Sequence, residues 1–254
     1  MRMLSAPVCV LMLLSCGGKT DPASTGVLSG NWQFSLQQTP PSTIAQTESG
    51  FLLQSGNSLT GGLVLSNQAV CPGLGPALGS LNGSNIALTV SQTSQTVAFT
   101  GTAATDGSAM TGTYSILASG CSGGSSTGTW TASPVKPVTG TYQATFTSGS
   151  LGVYNSVITV TQGPNTGASI ANLSGTMTSS NSTCANNLSI AGVVSGTAIV
   201  LNFLASDGSA VGQFTGTTST DATALTGTYD FLAEGNVCPG DAGSISATQQ
   251  APSM

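Results

Sequence analysis

The chain has 254 residues, of which three are Lys or Arg, eight are Asp or Glu and none is His. So few cations exclude a nucleic-acid footprint, which needs Lys and Arg to replace phosphate counterions, and exclude electrostatic attachment to anionic lipid. The absence of histidine removes Ser-His-Asp and Cys-His catalysis and the His-rich zinc sites, leaving no motif that calls for a metal or other cofactor.

Residues 1–15 carry one early positive charge, Arg2, and then the apolar run Pro7 to Leu14. This is the pattern of a secretory signal. It is too short for a bilayer, which needs about 20 residues. The following Leu13-Leu-Ser-Cys16-Gly17 resembles the bacterial lipobox, although Leu14 is bulkier than the usual residue at its position. The resemblance implies cleavage before Cys16, lipidation of Cys16 and a membrane partner reached through that anchor. Gly17 rather than Asp after the cysteine implies the outer membrane in a cell that has one. Ordinary cleavage nearby, with Cys16 a spare thiol, is the alternative. Residues 16–26 are small and polar and read as a tether.

Residues 27–134 read as a first domain of short strands, predicted near 30–37, 50–54, 60–65, 77–81, 85–91, 96–103, 109–117 and 127–133. Apolar and polar residues alternate within them, as in Trp32-Gln-Phe-Ser-Leu36 and Ile86-Ala-Leu-Thr-Val90, the period of half-buried strands. Turn signals such as Asn82-Gly83 and Asp106-Gly107 separate the runs. Residues 135–137, within Pro134-Val-Lys-Pro137, form a proline-bounded linker. A second domain follows over 138–248, and 249–254 reads as a flexible tail.

The second domain repeats the first. Phe99 to Ser115 returns 115 residues later as Phe214 to Asp230, with eleven of seventeen positions identical and no gap. Gly30-Asn-Trp32 corresponds to Gly140-Thr-Tyr142, Cys71 to Cys184 and Cys121 to Cys238. The fold class is therefore all-β: two tandem antiparallel meanders of about eight strands, each an up-and-down barrel or a β-sandwich. The opening Gly-x-Trp resembles the avidin and lipocalin families, which implies a barrel with that tryptophan near its floor. The match covers only these landmarks and the meander.

In an exported chain, Cys71, Cys121, Cys184 and Cys238 are expected to form disulfides, and the repeat selects Cys71–Cys121 and Cys184–Cys238. Asp106 and Asp221 recur at equivalent positions, but both sit in hairpin turns where Asp caps its own backbone. Trp32, Trp130, Tyr142, Tyr114 and Tyr229 read as core residues, or more sharply as the lining of a ligand cavity.

The expected function is a non-enzymatic binding or interaction module, with a small apolar molecule, a glycan or a protein as partner. One alternative is a structural envelope protein that holds no small ligand. The other, a carboxylate-dependent hydrolase, requires two carboxylates converging in one domain, and the first copy offers only Glu48 and Asp106.

Overall fold

The computed structural model describes residues 26–40, 45–65, 73–118, 125–179, 187–232 and 240–251. Residues 1–25, which include the expected signal segment, Cys16 and nearly all of the expected tether, lie outside the described residues, as do 252–254.

Sixteen strands form two closed antiparallel barrels. The first comprises β1 (Gly30–Gln38), β2 (Ala45–Ser55), β3 (Ser58–Leu65), β4 (Gly73–Asn82), β5 (Asn85–Gln92), β6 (Gln95–Ala103), β7 (Met110–Ala118) and β8 (Ser126–Val135). The second comprises β9 (Gly140–Ser148), β10 (Gly152–Gln162), β11 (Ala171–Ser179), β12 (Leu188–Ser195), β13 (Ala198–Leu204), β14 (Ala210–Thr218), β15 (Ala224–Phe231) and β16 (Ala242–Gln249). Each strand pairs with its sequence neighbours. Closure comes from β1 on β8, with Leu36 opposite Trp130, and from β9 on β16, with Phe146 opposite Ile245. That closure decides for the barrel over the sandwich.

The alternation predicted from sequence is what fills the interiors. In β5, Ile86, Leu88 and Val90 are buried while Ala87 and Thr89 are exposed. Eight strands leave an interior just wide enough for side chains. Aromatic rings occupy much of it: Phe34, Phe99 and Trp130 lie 5.4–5.6 Å apart between centroids in the first barrel. In the second, Phe146 packs on Tyr154, Tyr229 and Phe231.

The repeated Thr-Gly-Thr motif has a packing cause. Gly101 faces Gly112 across β6 and β7, and Trp130 is opposite Gly112. The Trp130 indole donates to the carbonyls of Thr113 (3.0 Å) and Thr100 (3.3 Å), the cross-strand pair next to this glycine pair. A Cβ on Gly112 would stand 2.6 Å from Gly101 Cα, closer than atoms pack. In the second barrel Gly216 faces Gly227, and a Cβ on Gly227 would meet the Phe214 ring at 2.7 Å.

The barrels dock through the outer face of β1–β3. Asn31 exchanges two hydrogen bonds with the Gly196 backbone (2.7 and 2.9 Å) at the β12–β13 turn. Gln33 accepts from the Thr197 backbone N–H (3.0 Å), and Ser49 Oγ bonds Ser195 Oγ (2.9 Å). Asn165 donates to the Leu52 carbonyl (2.9 Å). Phe51, which points out of its own barrel, is buried in the core of the other. Gly196 has φ +54, and a Cβ there would meet Gln33 Oε1 at 2.3 Å. Only glycine fits that turn against this face.

Three expectations need correction. Among the described residues no disulfide bond is found, so the Cys71–Cys121 and Cys184–Cys238 pairings are withdrawn; all four cysteines lie outside the described residues. Backbone ladders running around each barrel close the domains without such a crosslink. Strand β2 begins at Ala45, not near 50, and β4 begins at Gly73, not near 77. The missed part of β2 buries Gln46 and Glu48, so its inward positions gave no apolar signal.

A polar layer inside each barrel

The ends of the barrels differ. At the end where β1 and β9 begin, the interior is plugged by aromatic residues with satisfied polar atoms. Trp32 is 1 % exposed and its indole donates to the Leu28 carbonyl (2.9 Å). Tyr142 is 0 % exposed and its hydroxyl donates to the Ala222 carbonyl (2.7 Å). Burial, then the charge of Asp221, pushes the Tyr142 pKa up. With Trp130 bonded as described above, these three predicted lining residues act as internal posts.

Tyr114 and Tyr229 belong to a different layer, nearer the other end. The strand registers superimpose the barrels position by position. Glu48, opposite Phe34, corresponds to Ser156, opposite Ala144. Gln46 corresponds to Tyr154, Tyr114 to Tyr229, and Ser126 to Asp241. Each layer thus holds one acid at a non-equivalent position, Glu48 on β2 in the first barrel and Asp241 just before β16 in the second.

The layer of the second barrel is closed on itself. Asp241 is buried and accepts hydrogen bonds from Tyr229 (2.8 Å), Tyr154 (3.3 Å), Ser150 (3.1 Å) and Ser148. The two tyrosine hydroxyls are 3.4 Å apart. Burial is the main cause that raises both tyrosine pKa values. Four hydroxyl donors satisfy a buried carboxylate that has no cation near it. One polar atom, Ser156 Oγ, has no partner.

The layer of the first barrel is open in hydrogen-bonding terms. Gln92 Nε2 donates to Glu48 Oε1 (3.2 Å) and to the Gly73 carbonyl (2.9 Å), and Gln95 Nε2 donates to Gln92 Oε1. Glu48 Oε2, Gln46 Oε1 and Tyr114 Oη are buried with no partner. Ser126 is close enough to Tyr114 to oppose the upward push of burial on its pKa, but no hydrogen bond forms. Burial drives the Glu48 pKa from 4.5 up to about 8, so the carboxyl is mostly protonated at pH 7.

Other candidates carry less chemistry. Asp106, Asp207 and Asp221 are exposed in turns. Hydrogen bonds from Ser108, from Ser209, and from Ser219 and Thr223 lower their pKa values, that of Asp221 to about 2. A cleft of about 370 Å³ lies at the barrel junction, lined by Phe51, Pro134 and Pro164 among others, with no ionisable side chain. Among the described residues no group of three or more His, Cys, Asp or Glu side chains could hold a metal ion.

Fold and layer together define a tandem eight-stranded β-barrel protein. No protein-family model matches the chain, and no curated protein matches it. Among solved structures it is similar to kievitone hydratase from Nectria haematococca, at 12% identity over 90% of this chain and 92% of that one, with a TM-score of 0.27. It is also similar to a putative AttH from Nitrosomonas europaea, at 9% identity over 94% and 99% of the two chains, with a TM-score of 0.26.

Proposed function

We propose that the chain is a non-enzymatic binding protein of the bacterial cell envelope, held at a membrane by lipid on Cys16, whose first barrel takes a small molecule at its polar layer. The observation that carries this reading is the contrast between the duplicated layers. The acid of one barrel has four donors, while three oxygens in the other have none. Each buried polar group left unpaired costs roughly 1–3 kcal/mol. Three together approach the whole stability of a typical domain, about 5–15 kcal/mol. A bound donor group removes that cost, and in the twin barrel the counterparts of Gln46 and Tyr114, Tyr154 and Tyr229, both find the Asp241 carboxylate.

Two further points support binding over hydrolysis. Among the described residues each interior holds a single carboxylate, Glu48 or Asp241, whereas glycoside-type chemistry needs a pair on either side of the scissile bond. Asp106, the other acid of the first copy, is exposed in a turn at the opposite end.

The test is native mass spectrometry of the chain from Gly17 onward, purified gently from the periplasm of an expression host and from its native cell. An adduct of a few hundred daltons, retained by wild type and lost from Glu48→Gln, is the expected result. A bare mass from both sources, with ordered water donating to Glu48 and Gln46 in a crystal structure, would favour the structural reading instead.

A further inference from the structure

We infer that the first barrel selects an organic ammonium ion with an apolar body, its N–H groups donating to Glu48 Oε2, Gln46 Oε1 and Tyr114 Oη. This deepens the binding proposal and rests on it. The unpartnered atoms are an amide oxygen, which only accepts, a hydroxyl that can accept, and a carboxyl oxygen that becomes a pure acceptor once its proton has left. A primary ammonium brings three donors and no acceptor. Gln46 and Tyr114 occupy the positions whose counterparts, Tyr154 and Tyr229, approach to 3.4 Å across the second barrel. Glu48 is two residues along the same inward face from Gln46.

Charge points the same way. The chain has three cations, Arg2, Lys19 and Lys136. The one among the described residues, Lys136, is exposed in the linker. The carboxylate form of Glu48 therefore has no positive partner in its barrel. Beside it stands Phe34, its cross-strand neighbour, in contact with Trp130. Aromatic faces next to a carboxylate favour a desolvated cation over a neutral donor. The three oxygens are not open to solvent, so entry requires side chains to move. Gln92 and Gln95, which flank the two-residue turn between β5 and β6, are hydrogen-bonded to each other, and Gln92 also reaches Glu48.

Binding is coupled to one proton. The ammonium keeps its three protons, and the protonated Glu48 carboxyl releases its own to solvent as the ion pair forms. Among the eight strands of this barrel only Glu48 and Tyr114 titrate, and Tyr114 is pushed further from neutrality by burial.

The probe is benzylammonium, compared with benzyl alcohol and benzoate, titrated calorimetrically into the chain from Gly17 onward. Benzylammonium is expected to bind saturably, with affinity rising up to tenfold per pH unit from 6 to 8 and levelling above. Benzyl alcohol and benzoate are expected to bind at least tenfold more weakly. Glu48→Gln should lose at least tenfold for benzylammonium and lose the pH dependence, whereas Asp241→Asn in the other barrel should keep both. Equal binding of the three probes, or pH-independent binding by wild type, overturns the ammonium assignment. A native adduct in mass spectra without benzylammonium binding overturns the ligand class alone. Neither adduct nor probe binding overturns the binding proposal as well.

Discussion

Glu48 is a carboxyl surrounded by Phe34, Leu65 and amides, and its environment makes the fold sensitive to pH in one direction. The folded chain keeps the Glu48 proton to about pH 8, while the unfolded chain releases it near 4.5. Between those values the folded state binds more protons, so stability falls as pH rises, by up to about 1.4 kcal/mol per unit. The chain has no histidine to titrate in the same range. Thermal melts from pH 5 to 8 are expected to show a falling midpoint, by about 3–5 °C per unit at the steepest. Glu48→Gln should flatten that slope, and a slope unchanged in the variant would mean that another group is responsible. At the closed end the residue-scale expectation is simpler. Trp32→Ala removes a buried indole and unpairs the Leu28 carbonyl, at a cost of about 3–5 kcal/mol by chemical denaturation.

Strands β6 and β7 are defined by what their glycines leave out. With Trp130 over the Gly101–Gly112 pair and Phe214 over Gly216–Gly227, a branched side chain at either pair has nowhere to go. Gly112→Val and Gly227→Val are each expected to destabilise their barrel by more than about 3 kcal/mol, read as a drop in urea midpoint. Thr113→Val and Thr228→Val, at the exposed neighbouring positions, serve as controls and should change little. These strands were legible in the sequence because Phe99, Tyr114 and Ile116 alternate with polar residues and recur 115 positions later. The first half of β2 was not. Gln46 and Glu48 take the inward positions there, and a reading based on apolar alternation stops where polarity turns inward. Asp241 escaped notice for a related reason: it precedes β16 and points into the barrel from just outside the strand. Periodicity locates the core and overlooks polar groups placed within it. Tyr114 and Tyr229 were identified as repeated residues, but nothing in their spacing indicates that one finds a carboxylate and the other finds none.

At the scale of the whole molecule the two barrels share packing and hydrogen bonds. Phe51 belongs by sequence to the first barrel and by packing to the core of the second, and Asn31 satisfies both backbone groups of Gly196. Phe51→Ala removes that shared side chain, at about 3 kcal/mol or more. Wild type is expected to unfold in a single calorimetric transition, and the variant in two. Retention of one transition would show that the polar contacts alone couple the barrels. Protease cutting within 134–139 should rise in Asn31→Ala for the same reason. Closure of β1 on β8 and of β9 on β16 has a last consequence. The chain has only eleven charged side chains in 254 residues, so few charges are at hand to guard a strand edge. A flat, uncharged Ser/Thr-rich sheet with a free edge would invite a neighbour to add its own strand. In a closed ring every main-chain donor and acceptor of the ladder is already taken within the molecule. Closure thus removes the edge through which a second copy could extend either sheet.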